Sequence, residues 1–85
     1  MNKEKICELF SLEGRVAIIT GGAGKLGIKH AEILNEAGAY VVSFDIVKNN
    51  RLNEIAKQMI VDITKHTDVF RTVDEIVARH GRIDI

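Results

Sequence analysis

The sequence has no proline and no tryptophan, a single cysteine, and aromatic residues at only 5% of its 85 positions. Without proline, the breaks between elements fall to glycine, asparagine and aspartate, so those residues mark the boundaries. With Cys7 alone, neither an internal disulfide nor a cysteine-built zinc site can form, and the thiol reads as idle. No charge of one sign dominates: twelve Lys and Arg offset twelve Asp and Glu, for a formal net charge of zero. That balance removes the footprint of a nucleic-acid binder and of a basic membrane-surface patch. No apolar run approaches the ~20 residues of a membrane span. The opening Met1-Asn2-Lys3-Glu4-Lys5-Ile6-Cys7-Glu8 lacks a signal-peptide core, so a cytoplasmic protein is expected. His30, His66 and His80 are scattered without acidic partners at ligand spacing, and no metal site is expected.

What is present is a 46% hydrophobic content whose period changes regularly along the chain. Residues 16–20 read as a short, fully buried strand. From Lys25 to Ala37, Gly27, Ala31, Leu34 and Gly38 fall at helical spacing, with Ile28 and Ile33 widening the stripe. Gly38 ends that helix. Residues 40–45 form a second strand, β-branched and aromatic. Asn49 or Asn50 caps a short helix holding Leu52, Ile55 and Ala56. Residues 59–63 make a third strand. Thr67 or Asp68 starts a helix whose apolar face is Val69, Phe70, Val73, Ile76 and Val77, and Gly81 stops it. Ile83-Asp84-Ile85 opens a fourth strand.

Strands alternating with helices predict an α/β fold with a parallel sheet and right-handed crossovers. The expected architecture is part of a Rossmann-type, doubly wound sheet in the order 3-2-1, with the stub of strand four beside strand one and helices flanking. Residues 1–13 form a leader; residues 14–85 form the N-terminal half of a dinucleotide-binding domain, cut at the start of strand four. A chain this size buries only roughly two-thirds of its unfolded surface, so the core is thin. With only a stub beside strand one, self-association along that edge is also expected.

The run Val16-Ala17-Ile18-Ile19-Thr20-Gly21-Gly22-Ala23-Gly24-Lys25-Leu26-Gly27 carries the chemistry. It is a strand, a glycine-rich turn and a helix start in immediate succession, which is how a parallel sheet presents open amides to a pyrophosphate. Gly21 or Gly22 allows the tight turn, Gly24 leaves room for phosphate oxygens, and Gly27 lets the helix pack closely. Amides at the helix start carry about half a positive charge. Asp45 stands eighteen residues beyond Gly27, where a carboxylate accepts from ribose hydroxyls and repels a 2′-phosphate, favouring NAD over NADP. Lys25, Lys48 and Arg51 could each lean toward a 2′-phosphate instead. Asp62 either caps the turn after strand three or accepts from the adenine amino group.

Together, Leu12-Glu13-Gly14-Arg15-Val16-Ala17-Ile18-Ile19-Thr20-Gly21-Gly22, Asp45, Val61-Asp62-Ile63-Thr64 and His80-Gly81-Arg82-Ile83-Asp84-Ile85 resemble the N-terminal part of a short-chain dehydrogenase/reductase. The resemblance runs from Phe10 to the last residue. It implies that Gly21, Gly22, Gly24, Lys25, Leu26 and Gly27 hold the pyrophosphate, that Asp45 selects NAD, that Ile46 also belongs to the cofactor site, and that Asp62 with Ile63 borders the adenine. The loop departs from the family's commonest Thr-Gly-x-x-x-Gly-x-Gly, since Lys25 stands where the middle glycine would be and Gly24 lies one place earlier. In this it is closer to the extended, sugar-nucleotide-modifying branch. Its Gly-Gly-Ala-Gly run resembles members acting on sugar acids or in flagellin and surface-glycan modification. The implied activity of a complete member is hydride transfer between NAD and an alcohol or carbonyl, carbohydrate-like, in a homo-oligomer. The alternatives are an extended-branch epimerase or dehydratase and a stand-alone nucleotide-binding module. The family's catalytic Ser and Tyr-x-x-x-Lys are not in these residues: Tyr40 is the only tyrosine, with Phe44 four places on. No catalytic residue is assigned, and the 85-residue chain is expected to be inactive.

Overall fold

In a computed structural model, residues 9–85 are described; Cys7 and its neighbours in residues 1–8 lie outside the described residues. Three strands, β1 (Val16–Thr20), β2 (Tyr40–Asp45) and β3 (Lys57–Ile60), form a parallel sheet in the order β1-β2-β3. Two helices, α1 (Lys25–Glu36) and α2 (His66–His80), and a single 3₁₀ turn at Asn50–Leu52 make the crossovers. Ile83 to Ile85 lie on the free side of β1, where Asp84 N–H donates to the Val16 carbonyl at 2.8 Å and Ile18 N–H to the Ile85 carbonyl at 2.9 Å. The order 3-2-1 expected for a Rossmann sheet is thus the observed one, while residues 83–85 bond beside β1 without forming a strand.

Side chains alternate across each strand, and this splits the core into two layers. On one face Ala17 and Val41 meet Ile28 and Ala31 of α1 together with Leu52, which is fully buried. On the other, Val16, Val42, Phe44 and Val61 meet Ile76 of α2. Leu12 joins the first layer, and its N–H donates to the Ala37 carbonyl at 2.7 Å. Gly38 (φ 102°) and Gly81 (φ 79°) end the two helices in the left-handed region, as their positions imply.

Several details differ from the sequence-based expectation. β1 is not fully buried: Ile18 and Ile19 are half-buried, lining an open groove with His30, Leu34 and Ile85. β3 begins at Lys57 and ends at Ile60, two to three residues earlier than expected. Its end is set by Asp62, whose Oδ1 accepts from the Thr64 N–H at 3.0 Å and the Thr64 hydroxyl at 2.6 Å, folding the backbone into an Asx turn. The short helix is a 3₁₀ turn capped by Asn49, whose side chain accepts from the Arg51 N–H, and Ile55 and Ala56 fall beyond it. α2 starts at His66 with Lys65 at its N-cap, so the expected cap residues Thr67 and Asp68 lie inside its first turn. Within the helices, Ile33, Phe70 and Val77 face solvent instead of the core, while Thr72 is buried with its hydroxyl on the Asp68 carbonyl at 2.6 Å.

Candidate functional site

At the C-terminal edge of β1 the chain turns through Gly21, whose φ of +68° is the conformation only glycine adopts without strain. The turn is pinned by Gly21 N–H donating to the Phe44 carbonyl at 2.8 Å and Gly24 N–H donating to the Gly21 carbonyl at 3.1 Å. Gly22 has an ordinary φ and is needed for a different reason: a Cβ there would lie 2.1 Å from the Ser43 hydroxyl oxygen on β2. Gly27 lets α1 pack closely on the turn leaving β1: a Cβ there would stand 2.3 Å from the Gly21 carbonyl oxygen and 2.7 Å from Gly22 Cα. The glycines therefore fold the loop onto the first turn of α1. Gly24 is exposed, and a Cβ there would meet only the Gly21 carbonyl oxygen, at 3.4 Å.

This compaction leaves an open helix start. Gly24 is the N-cap and has no side chain to bond the first-turn amides of Lys25, Leu26 and Gly27, and no acidic residue lies in that turn. Such amides have no acceptor within the helix and carry the positive end of its dipole. Lys25 and Leu26 are exposed. Among the described residues Lys25 and Lys48 form no ion pair, whereas Arg51 reaches Glu32 at 3.5 Å.

The carboxylate of Asp45 is turned toward this loop. The register pairs Thr20 with Phe44, so the end of β2 lies beside the turn. Asp45 Oδ2 accepts from the Ala23 N–H at 3.1 Å, and Oδ1 from the Val47 N–H at 3.3 Å. Ile46, Val47 and Ile63 follow the ends of β2 and β3 and are exposed apolar side chains, as is Leu26 on the helix start. Asp62 takes its capping role through Oδ1, and the Thr64 hydroxyl, then the Thr64 amide, hold its carboxyl below the usual aspartate range.

A further network was not legible in the sequence. Asn49 Nδ2 donates to the Ala23 carbonyl at 3.2 Å. The backbone of Asn49 is in turn gripped by Gln58 of β3, whose Oε1 accepts from the Asn49 N–H at 2.8 Å and whose Nε2 donates to the Asn49 carbonyl at 3.0 Å. Sequence reading assigned Asn49 only a capping role; the one available signal was a paired-amide residue type in each of two segments that a parallel sheet brings together.

Among the described residues a second groove lies elsewhere. It is lined by Tyr40, Lys57, Glu75, Arg79 and His80 at the N-terminal ends of β2 and β3, with the Tyr40 and His80 rings 4.3 Å apart. Open α/β sheets take ligands at the carboxyl ends of their strands, so the loop and not this groove is the candidate site. Among the described residues no group of His, Cys, Asp and Glu could hold a metal ion, and no helix is long and apolar enough to cross a membrane.

Residues 15–85 match the family model of the short chain dehydrogenases. Tropinone reductase-like 1 of Erythroxylum coca is 44% identical over 80 residues, a match covering 87% of this chain and 29% of that protein. NAD-dependent glycerol dehydrogenase of Listeria innocua serovar 6a is 36% identical over 84 residues, covering 89% of this chain and 32% of that protein. The crystal structure of gox2181 superposes with a TM-score of 0.81 at 29% identity, over 91% of this chain and 34% of that one. The chain thus spans about a third of the length of these relatives.

Proposed function

The chain belongs to the short-chain dehydrogenase family, and from that premise we propose that residues 14–85 bind NAD through its adenosine and pyrophosphate. In this reading Gly21, Gly22, Gly24, Lys25, Leu26 and Gly27 cradle the diphosphate against the open first turn of α1. Asp45 grips the ribose hydroxyls, with Ile46 beside it, and Asp62 and Ile63 border the adenine. The observation that carries the proposal is the Asp45 carboxylate bonded to the Ala23 amide, next to a helix start with neither a capping side chain nor an acid. A carboxylate so placed puts negative charge where a 2′-phosphate would sit, and the pairing of Arg51 with Glu32 withdraws one compensating cation. NAD is therefore favoured over NADP.

For the complete protein the proposal extends to hydride exchange with an alcohol or carbonyl substrate of carbohydrate-like chemistry, in a cytoplasmic homo-oligomer. The polyol named for the Listeria relative is in keeping with that substrate class. Bound NAD supplies the hydride acceptor; the residues described here bind and orient it. Nothing in the geometry favours the epimerase, dehydratase or stand-alone readings. The 85 residues contain no Tyr-x-x-x-Lys, so they are expected to bind without turnover.

Calorimetric titration tests the site. NAD and ADP-ribose are expected to bind, with NADP at least tenfold weaker. Binding of none of the three, or a preference for NADP, would overturn the proposal.

A further inference from the structure

We propose that Asn49 is a positioning residue of the dinucleotide site, fixing the peptide from which the open helix amides depart. The inference rests on the function proposed above and adds a residue to it. The peptide in question joins Ala23 to Gly24. Its N–H donates to the Gly21 carbonyl at 3.1 Å, and its carbonyl accepts from Asn49 Nδ2 at 3.2 Å. Both ends of that peptide plane are therefore held, one from within the loop and one from beyond β2. The preceding peptide is held as well, through the Ala23 N–H on Asp45.

Asn49 can do this because it is itself immobilised. Gln58 bonds its N–H and its carbonyl at once, and Gln58 Nε2 also donates to Asn53 Oδ1 at 3.0 Å. The amide orientations are mutually consistent: Asn49 Oδ1 accepts from the Arg51 N–H at 3.0 Å, so the opposite end must be the donor facing Ala23. Reversing either side-chain amide would set oxygen against carbonyl oxygen. The brace thus runs from β3 through Asn49 to the loop.

The physical consequence concerns the anion. A carbonyl adjoining a phosphate-binding turn is a liability, since its oxygen repels phosphate if the peptide rotates. Tying the Ala23 oxygen to Asn49 removes that rotation before the ligand arrives, and preorganisation of this kind is expressed as affinity. Losing one neutral hydrogen bond is expected to weaken diphosphate binding about 3- to 10-fold.

The test separates positioning from capping. Asn49→Ser keeps an oxygen that can accept from the Arg51 N–H but cannot reach Ala23; Asn49→Asp keeps the same cap and replaces the donor with an acceptor. The whole chain and both variants are titrated with ADP-ribose and with adenosine, and folding is checked by circular dichroism. The expected result is that Asn49→Ser loses about 3- to 10-fold in ADP-ribose affinity and Asn49→Asp loses more. Adenosine affinity is expected to stay within twofold of the parent. Unchanged ADP-ribose binding in either folded variant overturns the inference while leaving the proposed function standing. Equal losses for both ligands overturn it too, because they mark a general structural role. A parent chain that binds neither ligand overturns the proposed function, and the inference with it.

Discussion

Replacing Asp45 by asparagine probes the choice of cofactor with almost no change of shape. In the parent, the two carboxylate oxygens serve the Ala23 and Val47 amides at 3.1 and 3.3 Å. An asparagine can accept from only one of them, and it carries no charge. Two unit charges about 5 Å apart interact by ~3 kcal/mol at an effective dielectric of 20 and by ~0.8 kcal/mol in bulk water. Asp45 is half-buried, between those limits. A repulsion of about 1.4 to 2.8 kcal/mol against a 2′-phosphate corresponds to roughly 10- to 100-fold in affinity. Asp45→Asn is therefore expected to raise the affinity for NADP relative to NAD by that factor. NAD itself should bind about tenfold less tightly through the lost charged hydrogen bond to ribose. The assay is parallel calorimetry with both cofactors at low and high salt, because the charge effect should shrink as ionic strength rises. An NADP-to-NAD ratio unchanged within twofold, in a variant that melts near the parent, would refute the assignment of Asp45.

Glycine substitutions should divide according to what their new methyl meets. Gly27→Ala drives a Cβ into the backbone of Gly21 and Gly22, and a loss of about 1–3 kcal/mol in urea unfolding is expected, along with weakened ADP-ribose binding. Gly22→Ala clashes chiefly with the Ser43 side chain, so Ser43→Gly in the same chain should restore part of the stability, whereas equal melting of single and double variants would contradict the contact. Asp84 offers a pH test. Arg82 foremost, then the Val16 amide at 2.8 Å, pull its pKa down from 3.8 to about 2. Because the folded value is the lower one, its stabilising contribution is complete above about pH 4 and disappears as pH falls through about 2. Unfolding free energies measured between those values should fall more steeply for the parent than for Asp84→Asn; parallel profiles would remove Asp84 from the account.

How much of this was legible in the sequence depends on how local the deciding interaction is. β1, α1 and β2 were readable because one apolar period holds throughout each and a glycine closes α1. β3 was misplaced because Val61 and Ile63 have strand propensity, while the ladder instead takes Lys57 and Gln58 and ends at Ile60. Gln58 belongs there for a tertiary reason, its bonds to Asn49, which no window of sequence displays. Phe70 and Val77 follow the helical period yet face solvent, since helical spacing gives a face and not what covers it. In the site, the turn, the helix start and the facing carboxylate were all readable from residue types. The division of labour among the glycines was not: it turns on Ser43 beside Gly22 and on Gly21 beneath Gly27. Asn49 was hidden for the same reason, lying 26 residues from the carbonyl it holds.

The central claim is that the open amides of α1 and the Asp45 carboxylate together receive a dinucleotide. The most direct measurement is a residue-resolved amide NMR titration of the whole chain with ADP-ribose. The account predicts saturable shifts that are largest at Gly22, Lys25, Leu26, Gly27 and Ile46. Shifts centred instead on the groove between Tyr40 and His80, or no saturable shift at millimolar ligand, would contradict it.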